Sequence, residues 1–422
     1  MKMNGERAFE LLKKIGFIRT AGSAEELKAA EILKAEAESA GVQAWLESFE
    51  IEEAENETAE LEVLEPYNKK YRVTAYKCAQ NCEGLTADFY YAEDGEDVNL
   101  ADAKGKIILV NGYMRVPLYK KLVEAGAAGF VTMSGTLLDK EDETDLFTRK
   151  LRQTLRAFGN IPGANIRISD AFELVAKKAS KVKLTVKDKA VTLTSHNVVA
   201  EIKGTKYPDE IISFGAHFDS VPFSTGVYDN GAGSVINMEA LRHFAKNPPL
   251  RTVKFMWYGS EEIGLEGSRA YVKAHEDEIK KHIFMINTDV GGPVLGVNKC
   301  CVTAGEDLLH FTDYFMKTKG YAVRTNKGIY SSDSVPFADK GVPAVNFTRD
   351  GAEGGAFIHC RYDIIDYLSA EALETMTRHV IDFSDTLINA VAFPIKREVP
   401  ADITEKIDKY LYKKELEEVQ NQ

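Results

Sequence analysis

At 422 residues, with 44% hydrophobic and 28% charged side chains, the chain is too long for one ordinary core and too average in composition for a disordered or fibrous class; a large domain plus a smaller one is expected. A formal net charge of −12 argues against nucleic acid or an anionic membrane as partner, because both demand clustered Lys and Arg. No run approaches the roughly 18 apolar residues of a spanning helix, and the N-terminal MKMNGERAFELLKKIGF is amphipathic without the apolar centre of a signal peptide, so a cytoplasmic protein is the expectation.

In chain order, Ala8, Leu11, Leu12 and Ile15 recur at helical spacing, and Ser23 with Glu26 makes a capping box opening a second helix that stops near Gly41. From 57 to 192 the character changes to short β-rich runs such as YRVTAY and KVKLTVK, read as a domain inserted into a main one formed by 1–56 and 193–395. Within it GKIILVNGY, a helix through Leu118 and Leu122, and AGAAGFVTM read as strand, helix, strand, followed by IPGANIRISDAFELV. These segments resemble the protease-associated domain, a small β-rich module found inserted in several peptidase families. Five cysteines, among them Cys78 and Cys82 in a lone C-x3-C, give neither a disulfide framework nor a zinc knuckle and are expected to be ordinary thiols.

Beyond Asn197 the runs NVVAEIKG, EIISFGAH, TVKFMWYG and IFMINTDV alternate with helical stretches. Continuous apolar runs mean strands buried on both faces, so the fold class is α/β: a mixed, mostly parallel sheet sandwiched by helices, with the small β-rich insert. The charged stretch 396–422 reads as a solvated or dimer-packing helix, which leaves a homo-oligomer open.

Five short motifs stand at the ends of these strand-like runs: AHFDS, YDNGAG, GSEEIGLEGS, NTDVGG and FIHC. They supply His217, Asp229, Glu262, Asp289 and His359 as candidate metal ligands. Open α/β sheets gather their sites at such strand ends. Asp219 shares a face with His217 across an extended segment and is suited to orienting it. Asp229 has two oxygens and can therefore bridge two cations. Glu261 and Glu262 diverge from adjacent backbone positions, so one can ligate while the other serves as base to a water. Nitrogen and oxygen donors without thiolate suit two divalent ions, zinc first, with cobalt or manganese also compatible.

Together the motifs resemble the co-catalytic double-zinc aminopeptidases, relatives of glutamate carboxypeptidases, glutaminyl cyclases and the transferrin receptor, over the stretch from RTAGS (Arg19 to Ser23) to near Phe393. The resemblance implies that Asp229 bridges two metals, that His217 and Asp289 complete one site and Glu262 and His359 the other, and that Glu261 is general base and then acid. The chain departs from it at Ile358, where relatives often carry a tyrosine that steadies the oxyanion; Tyr330 is the candidate substitute. Arg349, in the loop ahead of His359, is the candidate clamp for a substrate carboxylate. Peptide substrates, cut from the amino end, are the expectation; a carboxypeptidase or dipeptidase of the same family, or an inactive binding relative, are the rivals.

Overall fold

The computed structural model describes residues 4–420 other than 141–143 and 147. It divides into two compact units, Met1–Ile51 with Thr194–Leu411, and Glu52–Leu193 with Tyr412–Gln422.

The first unit opens with α1 (Gly5–Ile15), which buries Ala8, Leu11, Leu12 and Ile15 as their spacing predicts. Helix α2 (Ala24–Ser39) is capped by Ser23, whose hydroxyl oxygen accepts the Glu26 N–H at 3.0 Å, and the chain turns at Gly41 with φ of 83°. Two long strands, β1 (Ala44–Glu65) and β2 (Lys181–Ile202), carry the chain out of this unit and back. There follow β3 (Tyr207–His217), α3 (Ala232–Lys246), β4 (Arg251–Tyr258), α4 (Glu266–Ala274), β5 (His282–Thr288), β6 (Gly296–Thr303), α5 (Glu306–Thr318), β7 (Val323–Lys327), α6 (Ser334–Asp339), β8 (Ala344–Gly351), α7 (Ala370–Ile388) and α8 (Ala401–Tyr410).

The sheet order in this unit is β7-β6-β8-β5-β3-β4-β2. Strands β4, β3, β5 and β8 run parallel, each to its neighbour, while β2 and β6 join antiparallel. Every residue of β4 is buried, as an apolar run sandwiched between helices requires. Phe214 of β3 stacks on Phe255 of β4 at 5.0 Å, within a core that also takes Leu12, Leu33, Val235, Leu241, Phe284 and Val345. This is the mixed, mostly parallel α/β sheet that the apolar runs predicted.

In the second unit, Cys82–Tyr91, Ile107–Leu109, Gly129–Ser134 and Gly163–Arg167 form consecutive parallel pairs, with the helix Val116–Glu124 between the second and third. Val131, Ile166 and Leu174 fill a core on one side; Tyr119, Leu122 and Phe130 fill another.

The compact units change over at 51/52 and 193/194, within β1 and β2, beside the junctions near 57 and 192 read from composition. A strand that continues through a junction leaves no turn residues to mark it. Nor is 396–422 one solvated helix: α8 buries Ile403 and Ile407 against Leu265, Val335 and Ala338, an i,i+4 apolar pair hidden among charges, while Lys413–Gln420 is a separate helix.

Candidate metal centre

The four adjacent parallel strands deliver the chemistry from their carboxyl ends. His217 closes β3, Glu261 and Glu262 follow β4, Asp289 follows β5, and His359 lies in the loop beyond β8. Asp229 comes from the turn that enters α3. His217, Asp229 and Asp289 are buried, whereas the His359 side chain is 50% exposed.

The five ligand candidates converge in two groups. His217, Asp229 and Asp289 each offer one atom within 4.8 Å of the others, and so do Asp229, Glu262 and His359. Asp229 belongs to both and divides its oxygens: Oδ1 lies 3.1 Å from His217 Nε2, and Oδ2 lies 3.0 Å from His359 Nε2. Asp289 Oδ1 approaches His217 Nε2 at 3.6 Å, and Glu262 Oε2 approaches His359 Nε2 at 3.2 Å. Asp219 stands behind the first group. Its carboxylate is 3.4 Å from His217 Nδ1 and accepts the Glu261 and Glu262 N–H groups at 3.0 and 3.2 Å. One buried acid thus holds the backbone of both glutamates and stands beside a ligand-candidate histidine.

Backbone geometry is unusual here. Ser260, Val290 and His359 take positive φ of 59°, 53° and 56°, a region that costs a residue with a Cβ about 1–3 kcal/mol and survives where the surroundings over-determine it. The surroundings do so. Buried Asn230 accepts the N–H groups of Gly233 and Val290 at 2.9 and 3.1 Å and donates to Thr288 O at 2.8 Å, tying the Asp229 turn to the end of β5. Gly233 must stay bare: a Cβ there would sit 2.4 Å from Thr288 O and 2.3 Å from Asn230 Oδ1. Gly233→Ala is therefore expected to cost about 1–3 kcal/mol of stability through overpacking, read as a lower urea midpoint.

Charge crowding describes what the centre accommodates. Burial lowers the His217 imidazolium pKa, yet Glu261, Asp219, Asp229 and Asp289 hold it well above the ordinary value. Burial likewise opposes the His359 charge, but Asp229 and Glu262 push its pKa up to about 11. Burial, then the Asp229 charge, raises Glu262 to about 7, and burial raises Glu261 well above the carboxylate range. So many acids cannot ionise together in a low-dielectric site without positive charge among them. Two imidazoles and three carboxylates, with no thiolate, fit a pair of borderline or hard divalent ions.

The two substrate-contact candidates part ways. Burial and the charges of Asp289 and Asp229 raise the Tyr330 phenol, which places it in the field of the centre. Arg349 is occupied by its own chain: Nε donates to Pro293 O at 2.8 Å, and the two terminal nitrogens donate to Asn298 Oδ1 at 3.2 Å and Val294 O at 3.1 Å. Its fork staples the segment after Asp289.

Three residues that support the centre carried no functional signal in the sequence. Asp363, buried, accepts the N–H groups of Tyr228 and Asp229 at 2.8 and 3.2 Å; burial raises its pKa to about 6. Arg19, fully buried, donates to the carbonyls of Phe218 and Thr225, and to that of Gly226 at 2.7 Å, so the loop leading to Asp229 is gripped from both sides. Glu26, which was legible only as a helix cap, reaches the turn before Glu261. Nothing in the local pattern around Arg19, Glu26 or Asp363 announces a partner so distant in sequence.

Relatives exist in sequence and in structure. The chain is 31% identical over 312 residues to aminopeptidase YwaD of Bacillus subtilis, covering 69% of this chain and 65% of YwaD. It is 30% identical over 228 residues to carboxypeptidase Q of Rattus norvegicus, covering 50% of this chain and 47% of that protein. The alignments therefore span less than two thirds of either relative. The solved structure of BSAP, a zinc aminopeptidase from Bacillus subtilis, superposes with a TM-score of 0.74 over 95% of this chain and 99% of that one at 24% identity, a likeness of fold. The model of peptidase family M28 matches residues 197–384, the stretch that contributes all five ligand candidates and Glu261, and over that stretch the chain is similar to that family.

Proposed function

We propose that the protein is a metallo-aminopeptidase that removes N-terminal residues from peptides at a centre for two divalent ions, zinc in the first instance. The observation that carries this reading is the division of Asp229, one oxygen toward each histidine, which gives two cation positions sharing one carboxylate. When bound, such ions polarise the scissile carbonyl and bring a water's pKa toward about 7. His217, Asp229 and Asp289 would hold one ion; Asp229, Glu262 and His359 would hold the other.

The remaining work falls to the protein. Glu261, with its pKa raised by burial, accepts the proton of the attacking water and returns it to the leaving amine. Asp219 keeps His217 and the two glutamates in register through the contacts described above. The Tyr330 phenol, kept protonated by its burial and by the neighbouring Asp289 and Asp229, is suited to donating to the oxyanion in place of the residue that Ile358 supplants. Activity at the amino end is favoured by the longer match to YwaD and by the commitment of Arg349 to its own loop. The match to carboxypeptidase Q keeps a carboxypeptidase as the second reading.

The deciding assay offers the zinc-loaded protein three versions of one peptide: free at both ends, N-acetylated, and C-amidated. Cleavage of the free and amidated forms with sparing of the acetylated form is expected. Cleavage of the acetylated but not the amidated form establishes the carboxypeptidase reading instead.

A further inference from the structure

We propose that Glu26, on the first turn of α2, is a positioning residue for Glu261; the inference rests on the reading of Glu261 as the proton acceptor. Glu26 is fully buried. Its Oε2 accepts the Gly22 N–H at 2.8 Å, one residue ahead of the Ser23 cap. Its Oε1 instead faces the end of β4, accepting the Ser195 hydroxyl at 2.6 Å and lying 3.3 Å from the Ser260 hydroxyl oxygen. Ser260 donates to Ser195 Oγ at 2.7 Å, so two serines and one carboxylate close a small network under the turn Gly259 to Glu262.

That turn needs holding. Ser260 stands at a φ of 59°, where a residue with a Cβ is strained unless its side chain is anchored. Asp219 grips the Glu261 and Glu262 N–H groups on one side, and Glu26 grips the Ser260 side chain on the other. Glu262 has a second anchor in its approach to His359. Glu261, as the base, must stay off the ligand set, so its direction depends more heavily on the backbone that presents it. The fit around Glu26 is close: a Cβ on Gly259 would come 2.4 Å from Glu26 Oε1 and 2.7 Å from Ser195 Oγ. Without the network Ser260 can relax, and the Glu261 carboxyl swings away from the water it serves. Misplacement of a catalytic group by about 1 Å costs on the order of 10²-fold in rate.

The test compares Glu26→Gln, Ser195→Ala and Ser260→Ala with the wild type in zinc-loaded form, using leucine p-nitroanilide and a parallel assay of bound zinc and thermal midpoint. The expected result is a kcat lower by about 10- to 100-fold with KM held within about twofold and zinc content unchanged. Ser195→Thr, which keeps the hydroxyl, restores kcat. Adding Glu26→Gln to Glu261→Gln produces no further loss, because both act through one group.

Wild-type kcat in all three variants overturns the inference, as does a loss that follows lost zinc or lost folded protein. Should Glu26→Gln fail to fold for want of its cap, the two serine variants decide alone. A fully active Glu261→Gln overturns the assignment of the base itself, a failure distinct from active network variants beside a dead Glu261→Gln.

Discussion

Glu261→Gln is expected to reduce kcat by about 10²- to 10⁴-fold, the span over which a positioned general base contributes, while the protein keeps its fold and two bound ions. The substitution is nearly isosteric and removes only the ability to take a proton. Glu261 belongs to neither ligand group, and the backbone N–H by which Asp219 holds it is untouched by a change at the end of the side chain. KM should move little, because the loss falls on the transition state. The measurements are steady-state kinetics on a free-amine peptide beside zinc analysis of the same sample. Retained turnover, or zinc lost in step with activity, would show that Glu261 is not the base.

Asp229→Ala should be more destructive, and differently so. It is the one residue common to both ligand groups, so its removal takes an oxygen from each cation position and leaves the imidazoles of His217 and His359 without their shared acid. Zinc stoichiometry should fall below one ion per chain under conditions that load two in the wild type, and activity should vanish with it. Because a bound ion stabilises the folded state by RT ln(1 + [L]/Kd), about 4 kcal/mol at a thousandfold excess over Kd, the wild type should show a thermal midpoint that rises with added zinc. Asp229→Ala should not respond. A variant that still binds two ions and melts like the wild type would exclude Asp229 as the shared ligand.

Much of this arrangement is legible in the sequence, and the reason is physical. His217, Glu262 and Asp289 follow continuous apolar runs, the imprint of buried parallel strands ending in a site, while Asp229 and His359 stand in glycine-containing loops. The strand order that makes four of those ends neighbours follows from pairing at long range, which no local run encodes. The partners of Arg349 are equally remote from any local pattern: they are the carbonyls of Pro293 and Val294 and the Asn298 side chain, and a guanidinium that serves a backbone carbonyl looks, in one dimension, like one that awaits a ligand. Glu26 was read half correctly. Its local partnership with Ser23 is periodic and visible; its contact with Ser195 and Ser260 joins α2 to β2 and to the turn after β4, far apart in sequence. The Ile403 and Ile407 pair in α8 had the spacing of a buried stripe, and the surrounding charges drew attention from it.

The order of the ligand strands also bears on the chain's synthesis. A polypeptide emerges from the ribosome N-terminal end first and folds as its parts become available. Strand β8 takes its place between β6 and β5, and His359 follows it in the chain, after every other ligand. Until that loop has left the exit tunnel, Asp229 and Glu262 lack the third member of their group. A chain that ends before β8 therefore carries one complete ligand group, His217 with Asp229 and Asp289, and not the second.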